Sequence, residues 1–217
     1  MPETDAPASI LAVMCRVAKL DSTGATPAGT GTMYTTDSLL RFTWSQEVEG
    51  GLDLMQRKGN GDLCTFTKTP DIVKRYNCTL DVCTPDPELE QLISGGVLLT
   101  ATGTTIGYGA PKLGADPVPD GVSIEVWSKA IDGDVEPATD PFFWWAFPKI
   151  KFEKKEQRVI EAGILANSYT GYMYENPNWG DGPTNDWPSN SDRAFQWVRT
   201  DTVPTSTVGV QAIPTQV

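Results

Sequence analysis

Histidine is absent from this chain. Its loss removes the commonest general base, the Ser–His and Cys–His nucleophile pairs and the commonest zinc ligand together. Most hydrolase mechanisms go with it. Positive charge is also scarce: 17 Lys and Arg stand against 28 Asp and Glu, a formal net charge of −11 with a sequence pI near 4.4. Such a surface disfavours nucleic acid and anionic membranes as partners, and a sequence-specific DNA binder is not expected. Long apolar runs are missing too. The longest, 10–15 and 142–147, are six residues each, against roughly 20 for a bilayer span. The first residues, Met1-Pro2-Glu3-Thr4-Asp5, are acidic and lack the basic start and apolar stretch of a secretory signal, so synthesis and retention in a cytoplasm are expected.

Cysteine is sparse. Cys15, Cys64, Cys78 and Cys83 form no Cys-x-x-Cys pair, and 217 residues can bury a core without covalent staples. Reduced, mostly buried thiols are expected, with a disulfide or structural metal as the alternative. Asn77-Cys78-Thr79 spells a glycosylation site but is read as coincidence without a signal peptide. With 20 Gly and 17 Pro the chain falls below the level that marks disorder, and it should fold.

What is present is period-two alternation in short segments. Tyr76, Cys78, Leu80 and Val82 point one way while Asn77, Thr79 and Asp81 point the other. Similar runs occupy 11–17, 40–44, 52–55, 63–67, 122–127, 150–152, 159–162, 169–174 and 195–198, divided by turn signals at 49–51, 58–62, 132–134 and 179–183. About ten strands with one clear helix predict a mainly β protein, an antiparallel sandwich or barrel, in a single domain over 1–217. The helix is expected at about 87–94. Asp86 can cap it, Pro87 suits its first position, Glu88 favours its positive end and Gly95 can close it. Leu89, Leu92 and Ile93 then share the face that packs on a sheet.

Three stretches, 20–38, 100–120 and 175–193, lack periodicity and are expected to be long loops that touch something. An extended segment is expected at about 1–9. The uncharged residues 203–217 are read as a C-terminal arm, either laid on a partner or frayed.

The chemistry-bearing patterns are weak. Asp and Glu fall mostly in turns and at helix starts, where capping and solvation account for them, so a glycosidase pair is not expected. Asp132-Gly133-Asp134-Val135-Glu136 lacks the remaining liganding positions of a calcium loop. Gly103, Gly107 and Gly109 carry neither a P-loop lysine nor a dinucleotide fingerprint. No catalytic residue, cofactor site or metal site is expected. Aromatics say more. In Phe142-Phe143-Trp144-Trp145-Ala146-Phe147 strand neighbours face opposite sides, so some rings should leave the subunit's own interior to be covered by a ligand or another subunit, the alternative being that all are core with a loop or the C-terminal arm as cover; Trp179, Trp187 and Trp197 follow.

The order of these pieces resembles a known family. Gly50-Gly51-Leu52-Asp53-Leu54 comes first, then Lys58-Gly59-Asn60-Gly61-Asp62-Leu63-Cys64. Tyr76-Asn77-Cys78-Thr79-Leu80-Asp81-Val82-Cys83 follows, leading into Asp86-Pro87-Glu88-Leu89 and Gly95. Glu125-Val126-Trp127, Phe147-Pro148-Lys149 and Asn178-Trp179-Gly180-Asp181-Gly182-Pro183 complete the series. Over roughly residues 10–200 it resembles the major tail (tail tube) proteins of long, non-contractile-tailed phages of actinobacteria. The resemblance implies a β-sandwich subunit with a flanking helix, six copies to a ring, and rings stacked into the tube through which the genome leaves the capsid. It implies a virion protein assembled in the bacterial cytoplasm, without enzyme activity or cofactor. Its partners would be its own copies and other tail proteins (tape measure, terminator, distal tail), with double-stranded DNA passing through the lumen unread. An acidic wall would let DNA slide.

Candidate self-assembly residues are Gly50, Gly51, Leu54, Lys58, Asn60, Trp144 and Trp145. The hairpin 49–62, polar at its tip and anchored by Leu52, Leu54 and Leu63, is expected to reach an adjacent ring. One of Trp144 and Trp145 is expected to be buried between subunits. The competing expectations are another tail component on the same scaffold (terminator, baseplate ring or minor tail protein), a carbohydrate-binding module, and a metal-independent glycosidase.

Overall fold

The computed structural model describes residues 8–83, 86–114, 118, 120–131, 137, 139–153, 167–188, 192–204 and 208–213. Along the chain run β1 (Ala8–Lys19), β2 (Gly29–Thr36), β3 (Leu39–Glu49), β4 (Asp53–Arg57), β5 (Leu63–Lys68), β6 (Ile72–Val82), α1 (Pro87–Ser94), β7 (Val97–Ala101) and β8 (Thr104–Gly109). The remainder are β9 (Val122–Ile131), β10 (Phe142–Phe152), β11 (Asn167–Met173), β12 (Gln196–Thr200) and β13 (Gly209–Ile213). Nine strands form one sheet in the order β13-β2-β1-β9-β10-β11-β6-β3, with β12 also on β10; β4–β5 and β7–β8 are separate hairpins. All these pairings are antiparallel. The mainly β class with one helix holds.

Alternation decides which face each strand shows. Cys15 and Val17 of β1, Ile124 and Val126 of β9 and Phe147 of β10 meet Cys78, Leu80 and Val82 of β6 in one core, so the sheet curls over itself. Leu89, Leu92 and Ile93 of α1 join that core. Helix α1 starts where expected: the Asp86 carboxylate accepts from the N–H groups of Glu88 (2.9 Å) and Leu89 (3.2 Å), and Gly95 ends it at φ +74°.

The opposite faces of β1, β9 and β10 carry Met14, Trp127, Trp144 and Ala146, and they are buried as well. Residues 174–188 cover them, inserting Trp179 and Trp187. That cover is pinned at its root. The Asn176 Nδ2 donates to the carbonyls of Gly24 (2.7 Å) and Pro148 (3.1 Å), and Asn178 Nδ2 donates to that of Thr23 (2.7 Å). The expected long loop does touch something, and what it touches is its own sheet.

Several expectations are corrected. The stretch 20–38 contains β2, which buries Met33 to Thr36. The stretch 100–120 contains β8 and the end of β7. Part of the C-terminal arm is β13, which extends the subunit's own sheet beside β2 and buries Ile213. The expected strand at 159–162, the turn at 132–134, and residues 1–7 of the N-terminal segment lie outside the described residues.

Candidate self-assembly surface

Strands β3 and β6 leave the body as a ribbon. Their register runs from Leu39↔Val82 through Trp44↔Cys78 to Glu49↔Ile72. Beyond it the Gly51 N–H donates to Asp71 Oδ1 (2.7 Å) and the Leu52 N–H to Thr69 Oγ1 (2.7 Å), and β4–β5 continue from Asp53↔Lys68 to Arg57↔Leu63. The result is one continuously bonded arm. Every residue of β4 and β5 is exposed.

The expected anchoring of this hairpin by Leu52, Leu54 and Leu63 is corrected. They are 71%, 54% and 52% exposed, and Met55 and Phe66 are exposed beside them. Alternation puts Met55 opposite Phe66 on one face and Leu54 opposite Thr67 on the other, so both faces display apolar side chains. A lone two-stranded hairpin is marginal in water, and this one has no body behind it to supply a core. Lys58 and Asn60 sit at its tip, where the Lys58 N–H donates to the Asp62 carbonyl and Asn60 Nδ2 donates to Asp62 Oδ2 (2.6 Å).

Gly50 and Gly51 play different parts. A Cβ on Gly50 would meet nothing within 4 Å, whereas one on Gly51 would lie 1.6 Å from the Thr69 carbonyl oxygen. Gly51→Ala is therefore expected to displace the arm's base while leaving the body's unfolding midpoint near that of the parent. A Gly51→Ala chain that self-associates like the parent would contradict this role.

Trp144 and Trp145 separate completely. Trp144 is 6% exposed, stacked on Trp127 (5.4 Å between ring centroids) and edge-on to Trp187 (4.8 Å). It is core, with no surface left for a neighbour, and it leaves the candidate set. Trp145 is half-buried on the other face, where its Nε1 donates to Ser128 Oγ (3.1 Å) and its ring lies 5.6 Å from Trp44 and 5.8 Å from Trp197. Ser9, Leu11, Ala12, Leu39, Phe42, Trp44, Val126, Ser128, Trp145 and Phe147 line an open cleft of about 190 Å³.

Four further surfaces are unfinished. Among the described residues the β3 and β13 strands end the sheet and β12 pairs only with β10, which leaves open edges of the kind soluble proteins ordinarily hide. The β7–β8 hairpin exposes Val97, Leu99 and Ile106.

No sequence motif announces the buried ion pair. Arg16 and Glu125, partners in the β1–β9 register, form a salt bridge of 3.1 Å with side chains 5% and 1% exposed. The Trp144 Nε1 donates to Glu125 Oε1 (3.0 Å), Arg16 donates to Thr184 Oγ1 (2.8 Å), and the guanidinium lies 4.9 Å from the Trp127 ring centroid. Burial pushes the Glu125 carboxyl above its ordinary range, against the opposing pull of Arg16. The group lies between layers beneath the cover of 174–188, so it holds the fold. Among the described residues no group of three His, Cys, Asp or Glu is gathered as a metal site, and no helix is long and apolar enough to cross a membrane.

None of the four cysteines is in a disulfide: Cys15 and Cys78 are buried, Cys83 half-buried and Cys64 exposed on the arm. Burial pushes the Cys15 and Cys78 thiols up to about 12. In the native chain a maleimide is expected to label Cys64 first and Cys15 and Cys78 only after unfolding. Peptide mass mapping that finds Cys15 labelled in the native state would contradict the described core.

No protein-family model matches this chain, and no curated protein matches it.

Proposed function

We propose that this chain is a structural subunit that assembles with its own copies into stacked rings, the major tail tube protein of a long, non-contractile phage tail. The observation that carries the proposal is the arm of β3–β6 and β4–β5, which presents Leu52, Leu54, Met55, Leu63 and Phe66 to solvent on a ribbon that none of the described residues covers. Exposed apolar surface of this extent on a protruding element marks an interface. The open edges at β3, β12 and β13 add backbone groups that a neighbouring strand can satisfy. The sequence resemblance supplies the ring of six, the virion location, the other tail proteins as partners and the passage of DNA. In this reading the chain has no enzyme activity and takes no cofactor.

The two tryptophans test it. Trp145→Asp is expected to keep the fold, with a modest fall in unfolding midpoint, and to block self-association in sedimentation velocity. Trp144→Asp, which puts a carboxylate beside Glu125 in a closed core, is expected to unfold the subunit. Equal unfolding by both would count against an assembly role for Trp145. The cleft at Trp44 and Trp145 is the one observation favouring a carbohydrate-binding module. That reading predicts a monomer whose Trp fluorescence changes on adding sugar.

A further inference from the structure

We infer that the cleft between β1, β3 and β10 is the receptor for the arm of a second copy, with Phe66 as the inserted side chain. This inference rests on the self-assembly reading above and names the contact that reading leaves open.

The cleft is apolar and aromatic, lined by Leu11, Phe42, Trp44, Trp145 and Phe147 with the hydroxyls of Ser9 and Ser128 at its margin. Its size admits an aromatic side chain. An apolar cavity of about 150 Å³ takes up one benzene, so this open cleft of about 190 Å³ has room for a phenyl ring. The chain has 7 phenylalanines, and Phe66 is the exposed one. Its cross-strand partner is Met55, an unbranched side chain that adapts to an irregular rim.

The ring cannot enter its own cleft. Trp44 lines the cleft and lies on β3, the strand that leads out into the arm. The eleven residue steps from Trp44 to Met55 span about 35 Å of extended chain, the ribbon is hydrogen-bonded across the Gly51–Leu52 junction, and Phe66 stands exposed on it, outside the cleft. The contact is therefore between copies. Arm and cleft are different surfaces, so an unreciprocated contact is head-to-tail, the type that generates rings or filaments.

Charge favours the same pairing. Residues 45–76 carry five carboxylates and five cations, so the arm is neutral and the net charge of −11 belongs to the rest of the chain. Two acidic bodies repel each other; a neutral arm approaches one without that penalty.

The experiment uses the full-length chain in sedimentation velocity over a concentration series. Phe66→Ala alters a residue that is 56% exposed and is expected to leave the unfolding midpoint unchanged. It should require about tenfold more protein to self-associate. Ala12→Phe fills the cleft from within and should fail in the same way. Mixed together, the two should form a one-to-one pair and nothing larger, because the mixture contains one working arm and one working cleft. Cys64, two residues from Phe66 on β5, reads the contact in the unmutated chain by slower maleimide labelling in assembled particles. Self-association by Phe66→Ala at the parent's concentration, or undiminished Cys64 labelling in particles, would overturn the inference and leave the tube reading standing. A parent that stays monomeric throughout would overturn both.

Discussion

Replacing Arg16 with alanine is expected to cost the fold about 3–5 kcal/mol, because it strands the Glu125 carboxylate, 1% exposed, in a closed core. Few single changes outside the aromatic layer should match it. The partner change Glu125→Gln is expected to cost less, since the amide retains the shape and can still accept from the Trp144 Nε1. Acidity supplies an independent check. Burial raises the folded-state pKa of Glu125 above its ordinary 4.5, Asp186 adds to the rise, and Arg16 opposes it. Between the ordinary and the raised value the folded state binds more protons than the unfolded one, so this group's contribution is most favourable below that window and declines as pH rises through it. Asp21, held below its usual range by Thr23, works in the opposite sense at more acidic pH. Urea midpoints measured from acid to neutral pH should show a steeper decline across the Glu125 window for Arg16→Ala and none from this group in Glu125→Gln. Equal midpoints for Arg16→Ala and the parent would mean that water reaches the pair.

Shortening the arm should have the largest effect on assembly. Replacing 52–69 with a two-residue turn removes β4 and β5, none of whose residues packs into a core cluster. The truncated subunit is expected to keep the parent's circular dichroism and unfolding midpoint while forming no tubes. Truncated chains that build particles of parental width would remove the arm from the proposed assembly. Truncated chains that unfold would mean that the arm stabilises the body through contacts other than those described.

Some elements are legible in the sequence because their signals are local. Asp86, Pro87 and Gly95 bracket α1, and the spacing of Leu89, Leu92 and Ile93 identifies its buried face. Period-two alternation locates β6, β9 and β11 for the same reason. Strand β2 escapes because its buried end, Met33 to Thr36, packs on both faces and so shows no alternation. Strand β8, Thr-Thr-Ile-Gly-Tyr-Gly, is rich in Thr and Gly, which read as loop. The errors at the candidate surface have a common cause. Leucines spaced along a hairpin look like anchors until the fold shows them exposed, with none of the described residues behind them. Glu125 alternates with Ile124 and Val126 as an outward residue should, yet it is buried because the distant segment 174–188 returns to cover it. Trp144 is closed in by the same segment, through Trp187. Which face of a strand meets water depends on such long-range cover, and no local pattern encodes it.

In the proposed assembly, copies of the chain complete its exposed arm and open sheet edges around a central pore. Negative-stain electron microscopy of the purified full-length protein at rising concentration tests this most directly. Rings or hollow filaments of one uniform diameter are predicted. A population that stays as single subunits at every concentration would contradict the claim.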